Sequence, residues 1–238
     1  MTPTTAPPDS APGAPGWIRL LGWLSPGFPV GAFAYSHGLE SAFDAGLVTD
    51  RTSLAAWLVG LLEFGSARSD AALLALASRA ALAGDDSALG RVAALGATLF
   101  GAPELARESL QQGEAFWTTI AASWPHPRLA ALRPILASGR IAYPVAVGAV
   151  SGVHGIEPFA ACAAYLHAFA ANGVSAALRL GMLGQTDGQH VLRDCERTIL
   201  ASARAACEDR LEDVGSASLA VDLMALAHET QTTRLFRS

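Results

Sequence analysis

The sequence predicts an all-α fold: a single compact helical domain of roughly ten helices. Three observations predict it. Apolar residues recur at helical spacing along most of the chain, prolines and glycines stand where helices begin and end, and no segment has the strict apolar–polar alternation of a half-buried strand. No stretch within 17–238 is rich enough in Pro, Gly or Ser to divide domains, so we predict one domain there.

The first forty residues predict a leader, a bent loop and a helix start. Residues 1–16 contain five prolines and lack the basic start and apolar stretch of a secretory signal, so we expect a disordered Pro-rich leader. Proline and glycine between Pro26 and Gly31 predict a stiff, bent loop. We expect a helix to follow that carries Tyr35, His37 and Glu40 on its first turns.

Further helices follow from caps and periodicity. Apolar residues at i, i+3, i+4, i+7 and i+8 from Leu54 predict a helix with Asp50 or Thr52 as N-cap. Gly84 should end one helix, and the following aspartates should cap the next. The prolines that suit a first helical turn are Pro103, Pro144 and Pro158.

The second half of the chain predicts three more helices. Phe159 to Leu178 has twenty residues without a charge, but it is rich in alanine and we interpret it as a buried core helix rather than a membrane span. Thr186 and Gln189 fit a capping box ahead of a long helix. In the last helix we expect Leu219, Leu223 and Leu226 to form one apolar stripe.

Composition excludes some classes of function. The net charge of −5 and the pI near 5.6 argue against a nucleic-acid partner. Three widely spaced cysteines without a CxxC motif are typical of a reducing compartment, which predicts a cytoplasmic protein with core thiols and no membrane partner. The chain has no lysine, so it cannot contain the P-loop lysine of a nucleotide hydrolase.

The chain offers little for metal binding or catalysis. None of its six histidines has metal-ligand spacing to another His, Cys or carboxylate, so we predict no metal site and no cofactor within one chain. His228 and Glu229 are neighbours, and we interpret them as a polar surface pair. Ser36, His37 and Glu40 have the residue types of a nucleophile, base and orienting group, but their spacing in the chain disfavours a triad.

Two further segments are candidates for binding a partner. The stretch 103–113 is dense in polar residues, and it is either an exposed helix face with weak ion pairs from Glu104 and Arg107 or a surface that meets a partner. The C-terminal tail ends in Leu235 and Phe236 beside arginines, a combination common at interface hot spots. We therefore expect deletion of Thr233 to Ser238 to preserve the fold and abolish partner binding.

Four segments in the same order resemble the UreF family, the urease accessory proteins. They are LSPGFPVGAFAYSHGLE at 24–40 with AGLV at 45–48, ELARESLQQG at 104–113, the middle segment around Tyr143 to Gly148 and His154 to Ile156, and HETQTTRLFRS at 228–238. The resemblance covers nearly the whole chain after the leader, and it implies an all-helical, non-enzymatic, dimeric protein.

The resemblance also implies partners. A UreF-like chain would bind the scaffold protein UreD (also called UreH) and recruit and regulate the GTPase UreG, so that nickel is inserted into the urease apoprotein. Nickel would be handled by the complex. The implied partner-binding residues are Phe33, Tyr35, His37, Glu40, Arg107, Glu108, His228, Glu229, Arg234, Leu235 and Phe236.

Two alternative functions compete with this interpretation. One is a small helical hydrolase centred on Ser36 and His37, which a Ser36→Ala variant would inactivate. The other is a helical interaction module unrelated to urease.

Overall fold

The computed structural model describes residues 16–136, 140–229, 231 and 234–237. The described residues form α-helices and two short 3-10 helices, at Ala32–Ala34 and Leu211–Asp213, and no strand. The α-helices are α1 (Gly16–Trp23), α2 (Leu39–Asp44), α3 (Arg51–Phe64), α4 (Ser66–Ala83), α5 (Asp86–Gly96), α6 (Pro103–Ser123), α7 (Pro127–Leu132), α8 (Tyr143–Val153), α9 (Pro158–Arg179), α10 (Gln185–Glu208) and α11 (Leu219–His228). The predicted all-α architecture of roughly ten helices is confirmed.

Helix α8 lies at the centre of the domain. Its residues from Pro144 to Gly152 are all buried, and α4, α6 and α9 pack around it. Glycines permit the close approach to α4, because a Cβ added at Gly148 would lie 2.3 Å from the Leu74 carbonyl oxygen and one at Gly152 would lie 2.4 Å from that of Ser78. The core is therefore built on a tight α4–α8 crossing.

Most predicted helix ends are observed. Asp50 caps α3 in a capping box with Ser53, Gly84 ends α4 in the left-handed region at φ 73°, and Asp85 caps α5. The three prolines stand in the first turns of α6, α8 and α9. Of the predicted leader, residues 1–15 lie outside the described residues, whereas Gly16 is already the first residue of α1.

Helix α9 is the one described helix whose length and composition would suffice to cross a bilayer, and half of its most apolar window is buried inside the domain. It packs against α3, α4 and α10. This packing agrees with the prediction of a core helix.

Two predicted helix starts were wrong. Helix α10 begins at Gln185 with Gly184 as N-cap, so Thr186 lies inside its first turn and makes no capping box. The helix expected to carry Tyr35 and His37 is replaced by the 3-10 helix, an extended Tyr35, and two successive left-handed residues, His37 at φ 52° and Gly38 at φ 75°. Consecutive positive φ values cannot continue a right-handed helix, so α2 starts only after them.

The predicted leucine stripe of the last helix faces outward. Leu219, Leu223 and Leu226 are exposed, by 72%, 50% and 43%, whereas Ala225 and His228 are buried. The reason is that α11 crosses the start of α2 closely: a Cβ at Gly38 would lie 3.0 Å from the Ala225 backbone nitrogen. Small side chains fit this contact, and the leucines are left on the opposite side.

Candidate functional site

The candidate site lies where the C-terminal tail folds back onto the start of α2. Glu40 is buried in the first turn of α2, and its carboxylate accepts the backbone N–H of Leu235 at 2.6 Å and that of Phe236 at 3.0 Å. The next residue extends the contact, because the backbone N–H of Arg237 donates to the Ala34 carbonyl at 2.8 Å. One carboxylate thus fixes two consecutive backbone groups almost two hundred residues later in the chain.

His228 joins this carboxylate to a second one. Its side chain is fully buried, with Nε2 3.1 Å from Glu40 Oε2 and Nδ1 3.0 Å from Glu104 Oε2. A carboxylate only accepts, so a doubly protonated imidazole satisfies both contacts. The prediction that His228 and Glu229 form a polar surface pair was wrong, because the end of α11 is covered by α2 and α6.

Arg234 completes the cluster. Its guanidinium donates to Glu104 Oε1 at 2.8 Å and to the carbonyls of Gln231 and Glu229. The Arg234 guanidinium and the His228 ring give both carboxylates polar partners, which lowers the cost of burying them. We call Glu40, Glu104, His228, Arg234 and the backbone N–H groups of Leu235 and Phe236 the tail clasp.

The clasp leaves one of the two apolar tail residues buried and the other exposed. Phe236 is 3% exposed, and the Arg179 guanidinium lies 4.2 Å from the centre of its ring. Leu235 is 58% exposed, and Phe33, whose neighbour Ala34 accepts from Arg237, is 65% exposed. The tail is therefore anchored by Phe236 and presents Leu235 and Phe33 to the surroundings.

The polar segment of α6 contributes to the same region. Glu108 is buried, 3.3 Å from His37 Nε2 and 2.9 Å from Gln112 Nε2, whereas Arg107 is exposed. One of the two interpretations of this segment, an exposed helix face on which Glu104 pairs with Arg107, was wrong. Glu104 instead pairs with His228 and Arg234 in the tail clasp. Tyr35 is buried, and its hydroxyl donates to Gln111 Oε1 at 3.1 Å.

The structure thus brings the predicted partner-binding residues to one side of the domain, around the tail clasp. Those exposed there are Phe33, Arg107, Arg234 and Leu235; Glu229 and His37 are partly buried, and Tyr35, Glu40, Glu108, His228 and Phe236 are buried. The buried residues hold the exposed ones in position. Their contact with a partner stays a prediction.

Three residues of this region were not among the predicted partner-binding residues. Glu104 bridges His228 and Arg234, Gln231 accepts from Ser41 Oγ at 2.9 Å, and Asn172 donates to the Tyr35 carbonyl at 3.2 Å. Asn172 had a signal in the sequence, since it is a polar side chain inside the long uncharged stretch of α9. Glu104 had none that pointed to the tail.

A cavity of about 920 Å³ lies beside the clasp, with Phe33, His37 and Glu108 among its lining residues. Asp70 of α4 also lines it and accepts a hydrogen bond from the Tyr165 hydroxyl at 2.7 Å. Enclosure by protein raises the pKa of Asp70 from 3.8 to about 6. Among the described residues, no three His, Cys, Asp or Glu side chains are placed to hold a metal ion.

The raised pKa of Asp70 predicts a pH-dependent stability. The folded state favours the protonated form of Asp70. The stability gained from this protonation is fully present below about pH 4 and is lost as the pH rises through about 6. Asp70→Asn keeps an acceptor for Tyr165 and should raise the free energy of unfolding at pH 7.5 by about 1–3 kcal/mol. Urea unfolding at pH 4 and 7.5 measures this, with exposed Asp187→Asn as control; an equal effect at both pH values would contradict it.

The geometry around Ser36 does not form a catalytic triad. Ser36 is 3% exposed and its hydroxyl accepts from the Glu40 backbone N–H at 3.4 Å, while His37 Nε2 faces Glu108. The left-handed backbone at His37 and Gly38 turns the imidazole toward α6 and the cavity.

Comparison with known proteins identifies the family. The UreF family model matches residues 48–196. Urease accessory protein UreF of Rhodopseudomonas palustris (strain BisB5) is 47% identical over 235 residues, covering 99% of this chain and 96% of that protein. The UreF proteins of Rhizobium leguminosarum bv. trifolii (strain WSM2304) and Methylobacterium sp. (strain 4-46) are each 48% identical over 221 residues, covering 93% of this chain and 96% and 88% of those proteins.

These matches decide between the hypotheses drawn from the sequence. The relatives are accessory proteins and not enzymes, so the hydrolase hypothesis is wrong, as is that of a helical module unrelated to urease. The matched region contains the helical core, and the longest alignments extend through the tail clasp. The chain belongs to the UreF family of urease accessory proteins.

Proposed function

We propose that this protein is an adaptor in urease maturation that binds the scaffold UreD (UreH) and recruits and regulates the GTPase UreG, so that nickel enters the urease apoprotein. Nickel is the cargo of the complex, and we assign it no ligand in this chain. We further propose that the protein acts in the cytoplasm as a homodimer.

The observation that carries the proposal is the ordered tail. Segments near a terminus are poorly ordered unless they are tied down, and here Glu40 accepts the backbone N–H groups of Leu235 and Phe236 while Glu104 contacts His228 and Arg234. The result is a preorganised surface with Leu235 and Phe33 exposed and Arg107 and Arg234 nearby. Preorganisation lowers the entropic cost of binding, and apolar anchors beside arginine are typical of interface hot spots.

Helix α11 leads directly into this surface. Its exposed leucines, Leu219, Leu223 and Leu226, form an apolar stripe that would be costly to leave in water. The scaffold protein therefore has two neighbouring apolar features to cover, the α11 stripe and the tail.

Leu235→Ala tests the proposed surface. Because this side chain is exposed, its truncation should leave the melting temperature unchanged, while affinity for UreD should fall roughly 30-fold, the effect of losing a hot spot of about 2 kcal/mol. Titration by isothermal calorimetry measures the affinity.

Leu200→Ala is the matched control. Leu200 is 50% exposed, and it lies on α10, which contributes no residue to the tail clasp. It should bind UreD as the wild type does. Equal affinities of all three proteins would refute the proposed binding surface.

The complete function is tested by reconstitution. Urease apoprotein is mixed with UreD, UreG, GTP and nickel, with and without this protein, and urease activity is followed. We expect activation only when this protein is present. Full activation in its absence would refute the adaptor function.

A further inference from the structure

The cavity beside the clasp has a mouth and an interior of different character. Leu21 of α1 and Phe33 line it and are 66% and 65% exposed, so they mark the mouth. Ser69 of α4 and Glu108 of α6 line it and are 6% and 3% exposed, so they lie at the interior end. The cavity therefore leads from the partner-facing surface into the space between α4, α6 and α9.

The interior end is acidic. Asp70 and Glu108 both line it, and the described lining residues include histidines but no arginine. Glu108 is approached by His37, whereas Asp70 makes no ion pair with a described residue and receives only the neutral Tyr165 hydroxyl. Asp70 is partly exposed to the cavity, and enclosure by protein, with a smaller contribution from the neighbouring Glu108 carboxylate, raises its pKa, which His37 offsets only in part.

Ser69 is a second polar group in the cavity that can receive a hydrogen-bonding ligand. Its hydroxyl is buried and has no hydrogen-bond partner among the described residues, although it lines the cavity next to Asp70. Buried polar groups are nearly always paired, and of those without a partner among the described residues the Ser69 hydroxyl and His37 Nδ1 both belong to residues that line this cavity. A ligand that donates hydrogen bonds would satisfy Ser69 and Asp70 together.

The rest of the wall is largely apolar. Its apolar lining residues include Leu20, Leu24, Phe28, Leu99, Phe100 and Phe169. A ligand that fits both parts has a cationic donor at the tip of an apolar stem, which is the structure of an arginine or lysine side chain.

We propose that this cavity receives a basic side chain of a partner protein, with Asp70 and Ser69 as the receptors of its charged end. The inference rests on the proposed function, since the mouth at Phe33 belongs to the surface assigned to partners. The inserted side chain supplies the cation that Asp70 lacks and the donor that Ser69 lacks. It thereby gives the interface a charge-specific contact in addition to its apolar ones.

The isolated protein tests the chemistry of the cavity. The probe is n-butylguanidinium, and the neutral comparison is n-butylurea, which has nearly the same shape without the charge. Ligand-observed NMR should detect binding of n-butylguanidinium with a dissociation constant on the order of millimolar and at least about tenfold weaker binding of n-butylurea.

Asp70→Asn and Ser69→Ala should each weaken n-butylguanidinium binding, the first by about tenfold or more, whereas Asp187→Asn should not. Asp70→Asn is expected to be at least as stable as the wild type, so a loss of binding is not a loss of folding. Undiminished binding by Asp70→Asn, or equal binding of both probes, would overturn the proposal.

A second arm tests the source of the cation. Asp70→Asn should reduce affinity for UreD about tenfold relative to the wild type and to Asp187→Asn. Wild-type affinity in Asp70→Asn would overturn insertion of a partner side chain. If even the wild type forms no complex, the proposed function fails as well, an outcome distinct from failure of the cavity alone.

Discussion

Glu40→Ala is expected to release the C-terminal tail and to abolish binding of UreD. The substitution removes the acceptor of the Leu235 and Phe236 backbone N–H groups and leaves His228 with one of its two carboxylates. Breaking a buried charge pair by removing one partner costs about 3–5 kcal/mol. Hydrogen exchange should show the amides of Leu235 and Phe236 losing protection, while those of the central helix α8 keep theirs.

Glu63→Ala is the control for this variant, since Glu63 is an exposed residue of α3. It should keep both amide protection and UreD binding. Glu40→Ala also differs from deletion of Thr233 to Ser238, because it leaves every tail residue present. If the amides of Leu235 and Phe236 stay protected in Glu40→Ala, the clasp does not hold the tail.

The burial of Phe236 modifies the expectation for the tail deletion. Loss of Phe236 uncovers the apolar surface beneath it and removes the stacking partner of Arg179. We now expect deletion to lower the stability of the region around α2 and α11 in addition to abolishing partner binding. Of the deleted residues, Thr233 and Ser238 lie outside the described residues.

Gly148→Ala is expected to be the most damaging small substitution in the core. The new methyl group would stand 2.3 Å from the Leu74 carbonyl oxygen, which belongs to the backbone of α4 and cannot turn aside as a side chain could. Separating α4 from α8 loosens the central crossing, at a cost of about 3 kcal/mol. For a domain of this size, this corresponds to a melting temperature lower by roughly 10 °C.

Gly60→Ala is the matched control. Gly60 also lies in a helix interior, in α3, but a Cβ added there meets no atom within 4 Å. Since alanine is the better helix former by up to about 1 kcal/mol, this variant should be as stable as the wild type or more so. Thermal unfolding of the two variants separates the effects, and similar melting temperatures would contradict the tight α4–α8 crossing.

The sequence predicted the helices well where the determinants are local. The N-cap at Asp50, the helix-ending glycine at Gly84 and the first-turn prolines act through neighbouring residues, and each is observed. The prediction of Thr186 as a helix cap was wrong because a hydroxyl residue is common at an N-cap but can also lie within the first turn of a helix. The true start at Gln185 has no side-chain cap to reveal it.

By itself, the sequence determined the helical class, most helix boundaries and, through its motifs, the family. Only the tertiary structure decided that His228 is buried between two carboxylates, that the α11 leucines face outward, and that Asp70 and Ser69 share a cavity with Glu108. The physical reason is range: caps and periodicity depend on residues a few positions apart. The tail clasp joins Glu40 to His228 and Leu235 across most of the chain, and such contacts exist only once the helices have packed.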